Sequence, residues 1–164
     1  MTGNLFHSIE TAIAEPNKVA IETSQGERYS FADLVTLTGR LANALVARGV
    51  KPGDRVAVQV EKSVSALALY LACARAGAVY LPLNTGYTLA ELEYFVGDAE
   101  PALVVCDPAR HDGVAKVAAG FHAAVDTLDA LGRGPLMDIA ARQPKDFTTV
   151  ARSADDLAAI LYTS

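Results

Sequence analysis

Tryptophan is absent from this 164-residue chain, and cysteine and methionine occur only twice each. A disulfide scaffold needs more cysteine than that. Cys73 and Cys106 both lie inside apolar segments, which predicts two buried thiols of a reducing compartment rather than a bridge. Positive charge is not in excess either: fourteen basic residues stand against nineteen acidic ones, a net charge of −5. That excludes a nucleic acid or an anionic membrane as a partner held by bulk charge. Small anionic ligands, which need only a local site, stay open. The longest near-apolar run, Val64 to Ala74, falls far short of the roughly 20 residues that span a bilayer. Met1 is followed by no basic segment and no long apolar one, so no secretory signal is visible and the expected location is the cytoplasm.

Chemical signatures are sparse as well. His7, His111 and His122 are scattered, without Cys or carboxylate partners at ligand spacing, so no metal site is predicted. No GxGxxG and no complete Walker-type loop is present. Asp107 and Asp126 each follow an apolar strand-like run. Such an acid can bind a ribose in α/β proteins, but at that position it more often caps the next helix. No residue is assigned to catalysis.

What the chain has in abundance is apolar material, 51% of its residues, enough at this length to bury roughly 70% of the unfolded surface. "KVAIETSQGERYSF" reads as a hairpin turning at Ser24-Gln25-Gly26. Ser30 and Asp33, then Thr88 and Glu91, have the spacing of capping boxes, and each precedes a helical run. Phe31, Leu34, Val35, Thr38, Leu41, Ala42 and Leu45 repeat with helical period, with Arg40, Asn43 and Ala47 on the wetter side. Val64–Ala76 is apolar almost all round and should be sandwiched between other elements. Arg75-Ala76-Gly77 reads as a helix end with a cation near the dipole and a Gly cap. Strands are expected at Arg55–Val60, in "AVYLPLN", "ALVVCD" and "HAAVD", and in the final "AAILYTS". "RQPKDFTTVARSADD" reads as a polar loop. From Arg55 onward strands alternate with helices, the pattern of βαβ crossovers. The fold class is therefore α/β, a mostly parallel sheet with helices on both faces.

The final run ends in Tyr162, Thr163 and Ser164, hydroxyl residues where phosphate-binding loops often begin. By spacing alone this is an ordinary strand end. "YSFADL", "ACARAGAVYLPLN" and "DDLAAILYTS", in that order, together resemble successive landmarks of the adenylate-forming acyl-CoA synthetases. In that family the last landmark continues as Thr-Ser-Gly-Thr-Thr-Gly, followed shortly by a Lys, and binds ATP phosphates. The resemblance makes Thr163 and Ser164 its first two residues, with the chain ending inside the loop. It implies that residues 1–164 are an incomplete N-terminal portion of the AMP-binding large domain of an acetyl-CoA-synthetase-like fold. It also implies ATP, Mg²⁺ and CoA as cofactors of a longer enzyme, with the metal-binding Glu and catalytic Lys beyond Ser164.

The stretch from Glu61 to Asp107, with "YLPLNTGYT" at its centre, is similar to the malonyl-CoA synthetase branch of that family. Malonate is then the implied carboxylate partner, and the chain alone is expected to be inactive. Two other readings stand beside this one. One is an adenylation enzyme for another carboxylic or amino acid, and the other a self-contained α/β binding module. An incomplete domain predicts an uncovered apolar sheet face through which copies could self-associate.

Overall fold

Residues 2–163 are described by a computed structural model. The chain runs α1 (Leu5–Thr11), β1 (Val19–Glu22), β2 (Arg28–Ser30), α2 (Phe31–Ala47), β3 (Arg55–Gln59), α3 (Val64–Arg75), β4 (Val79–Pro82), α4 (Leu89–Ala99), β5 (Leu103–Cys106), a 3₁₀ turn (Pro108–Arg110), α5 (His111–Ala119), β6 (Ala124–Thr127) and α6 (Pro135–Ala141). β1 and β2 pair antiparallel as the expected hairpin. β3 to β6 form one parallel sheet in the order β4-β3-β5-β6.

Alternation along the strands sends successive residues to two cores. Val56, Val58, Leu103 and Val105 pack against Leu41, Leu45, Leu69 and Leu136 of α2, α3 and α6. Ala57, Leu81, Val104 and Cys106 pack against Leu92, Val96, Val114 and Ala118 of α4 and α5. Leu69 and Leu92 are fully buried, and burial of each contributes about 1.5–3 kcal/mol. Both capping boxes form: Asp33 N–H donates to Ser30 Oγ and Ser30 N–H to Asp33 Oδ2, and Thr88 and Glu91 repeat the pattern. No described helix is long and apolar enough to cross a membrane.

Residues 142–157 contain no helix or strand, yet they are not a free loop. They strap the helix ends together. Asn4 Nδ2 donates to Ala74 O at 2.7 Å and Val150 O at 2.8 Å, and Val150 N–H donates to Arg75 O at 2.9 Å. Arg40 and Asn43, expected on the wet side of α2, donate instead to the carbonyls of Ala141, Gln143, Pro144 and Asp146. A strap without a β-ladder leaves its carbonyls in need of donors, and these two side chains supply them. At Gly39 the strap lies so close that a Cβ would overlap the Lys145 carbonyl. Gly39→Ala is therefore expected to cost about 1–3 kcal/mol despite alanine's better helix propensity, and urea unfolding would read it. A gain in stability would mean that the strap is free to lift.

The final apolar run departs from the reading as a buried strand. Ile160 N–H donates to Tyr80 O and Tyr80 N–H to Ala158 O, both at 3.0 Å, a single parallel bridge at the β4 edge. Leu157 and Leu161 are 61% and 70% exposed. The run has β4 on one side and no strand among the described residues on the other, and its pairing with β4 is this one bridge.

Candidate functional site

In an open parallel sheet the ligand crevice lies outside the carboxyl ends of two neighbouring strands whose connections leave in opposite directions. Here α3 carries the chain from β3 to β4 on one side, and α5 carries it from β5 to β6 on the other. The carboxyl ends of β3 and β5 are therefore the switch point. Gln59 and Cys106 stand opposite each other there.

Gln59 is buried, and its Nε2 donates to Asn84 O at 2.8 Å and Tyr87 O at 3.3 Å. Arg110, which ends the 3₁₀ turn, donates to Thr85 O at 2.9 Å and Tyr87 O at 2.7 Å. These two side chains hold the loop Asn84–Thr88 from below, while Gly86 N–H and the Asn84 side chain close it internally at 2.8 Å. None of these roles was read from the sequence. The available signal for Gln59 was an amide inside an otherwise apolar strand.

Asp107 acts as the expected cap, accepting from Ala109 N–H at 2.8 Å. Asp126 does not. It lies within β6, buried, with Oδ2 at 2.8 Å from Nε of Arg48. Burial raises its pKa above the ordinary carboxylate value, against the pull of Arg48. The folded state thus holds a proton at pH values where the unfolded chain has lost it. Stability from this group is greatest below the ordinary value and is lost as pH rises through the raised one. Asp126→Asn is expected to flatten that part of the stability–pH curve without loss at neutral pH, because Arg48 is partly exposed and can rehydrate. Chemical denaturation across the acid range would test it; an unchanged slope would assign the titration to another group.

The two thiols are free and buried as expected. Burial pushes Cys106 up to about 11, helped by Asp107, and raises Cys73 further. Neither thiol has the character of a nucleophile.

Thr163 is exposed, and Ser164 lies outside the described residues. The segment leading to Thr163 reaches the carboxyl end of the sheet beside β4. Tyr162 lays its ring on Phe95 of α4, with centroids 4.5 Å apart, and donates its hydroxyl to Asp98. Phe95 also meets Tyr87 at 4.9 Å. One helix therefore links the Asn84–Thr88 loop to the segment that ends in Thr163. On the other sheet face, Val60, Leu67, Tyr70, Tyr80, Pro82 and Leu83 line an apolar cleft of about 650 Å³.

The sheet is parallel and covered on both faces, a doubly wound α/β architecture, and residues 9–164 match the family of AMP-binding enzymes. The chain belongs to that family. It is similar to MatB from Rhodopseudomonas palustris, whose apo and ATP-bound crystal structures each share 58% identity and a TM-score of 0.98 with it, over all of this chain and 33% of that one. It is 33% identical over 156 residues to a feruloyl-CoA synthase of an Amycolatopsis species, covering 95% of this chain and 30% of the relative. It is also 36% identical over 142 residues to malpinin synthetase of Mortierella alpina, covering 84% of this chain and 2% of the relative. The chain thus spans about a third of MatB and of the feruloyl-CoA synthase, and far less of the malpinin synthetase.

Proposed function

We propose that this chain is the N-terminal portion of the large domain of an ATP-dependent malonyl-CoA synthetase. The observation that carries the reading is the likeness to MatB, a bacterial malonyl-CoA synthetase, at 58% identity along the whole chain. In the proposed reaction a carboxylate oxygen of malonate attacks the α-phosphorus of ATP, the bond to the β-phosphate breaks, and pyrophosphate leaves. The CoA thiolate then attacks the acyl carbon, AMP departs, and malonyl-CoA is formed. Charge at the phosphates has to be offset by Mg²⁺, backbone N–H groups and a cation. Thr163, exposed at the carboxyl end of the sheet, suits the first contact of a phosphate loop, and we assign Thr163 and Ser164 that role. No residue of this chain is assigned to Mg²⁺, to CoA or to catalysis. The free buried thiols suit a cytoplasmic protein.

The test is an assay of the longer protein with ATP, CoA and malonate, beside ferulate-like aryl acids and amino acids. Pyrophosphate release with a clear preference for malonate, and none from the 164-residue chain alone, is expected. A preference for an aryl or amino acid would favour the other adenylating reading, which the 33% likeness to a feruloyl-CoA synthase keeps in view. A reading frame that stops after Ser164 would favour a binding module.

A further inference from the structure

We propose that Tyr162 and Asp98 form a latch that positions the start of the phosphate loop, which makes Tyr162 a positioning residue for ATP; this rests on the role assigned above to Thr163 and Ser164. Among the described residues, the last backbone hydrogen bond of the segment is Ile160 N–H to Tyr80 O. Leu161 and Thr163 on either side of Tyr162 are exposed and offer no packing. What holds the chain past the bridge is the Tyr162 side chain.

Its two contacts come from one helix. Phe95 and Asp98 are three residues apart on α4 and so share a face; the first takes the ring and the second the hydroxyl. The latch has a fixed base as well. Phe95 is stacked on Tyr87, whose carbonyl is held by Gln59 and Arg110. Burial and the Asp98 carboxylate push the Tyr162 hydroxyl up to about 12, so it remains a donor throughout the working pH range. A loop that wraps a polyphosphate must present its N–H groups in set positions before the ligand arrives. An anchor one residue before the loop supplies that order without touching the nucleotide.

The test uses Tyr162→Phe, Asp98→Leu and Asp98→Asn. Phenylalanine keeps the stacking and loses the donor, leucine loses the acceptor, and asparagine keeps an acceptor oxygen. In the 164-residue chain, exchange of the Ile160 amide, the last one bonded among the described residues, is expected to speed up about tenfold in the first two variants, the scale of one hydrogen bond. Asp98→Asn should stay within about twofold of the parent, and exchange in β3 and β5 should be unchanged in all three. In the longer protein the KM for ATP should rise about tenfold in the first two variants, with the KM for the carboxylate and kcat little changed. Unchanged exchange in Tyr162→Phe would overturn the latch. Faster exchange with an unchanged KM for ATP would overturn its role in positioning. A longer protein that releases no pyrophosphate with any carboxylate would sink the functional reading instead, while the exchange arm still decides whether the latch exists.

Discussion

Arg75→Met is expected to lower the stability of the chain by about 2–4 kcal/mol, on the scale of one to two buried carbonyls left without a donor. Arg75 is 6% exposed at the end of α3. Its guanidinium donates to Val35 O at 2.9 Å, to Thr38 Oγ1 at 3.3 Å and to Phe147 O at 2.9 Å. Glu10 stands 3.8 Å away, and the ring of Phe6 lies 4.8 Å below. One side chain therefore ties α1, α2 and the 142–157 strap to α3. Burial lowers its pKa, while Glu10 and Asp146 oppose the shift, so it stays charged. Methionine fills the volume over Phe6 but leaves the carbonyls of Val35 and Phe147 bare. Lysine should rescue little, because a single ammonium cannot reach acceptors that diverge around a planar fork. Against a total stability of about 5–15 kcal/mol, urea unfolding would resolve the loss easily. A change below about 0.5 kcal/mol would mean that the strap and α1 are held without it.

The sequence reading of Arg75 shows where pattern stops being informative. Its position before Ala76-Gly77 correctly placed a helix end, and the cation suited the dipole. Nothing local indicated that the side chain turns inward, because its partners Glu10, Val35 and Phe147 are between 40 and 72 residues away. Periodicity and caps, by contrast, are local properties, and they carried over. Both capping boxes, the α2 stripe and the βαβ alternation all appear where the residues put them.

The same division holds at the site. Thr163 and Ser164 were reached by resemblance alone, since two hydroxyls after a strand carry no glycine or lysine to confirm a loop. Gln59 and Arg110 become functional candidates only when the sheet order sets the carboxyl ends of β3 and β5 side by side, and Asp98 only when α4 meets the final segment. Asp126 misled for the same reason. It was read by its place after an apolar run, but the Arg48 opposite it, on another element, decides its role. The final run departs from the buried strand expected of it because its pairing with β4 is one bridge, and Leu157 and Leu161 are exposed.

That unpartnered edge leads to the second large effect. The chain is expected to bind an apolar fluorescent dye strongly and to associate with rising concentration, through the cleft between α3 and β4. Leu67 is 42% exposed at the cleft, and Tyr70 and Tyr80, edge-to-face at 5.0 Å, extend the same surface. Contiguous exposed apolar surface marks a site of contact with other molecules. Leu67→Glu puts a charge into the cleft at a helix position already open to water, so it should leave the fold intact. It should also reduce dye emission and association severalfold, as read by titration and sedimentation. If the parent chain binds no dye and stays monomeric at high concentration, the cleft is closed in solution, and the reading of these residues as part of a larger domain loses its physical motive. If the variant abolishes both signals, the cleft is the surface through which the chain associates, as the reading of an incomplete domain expects.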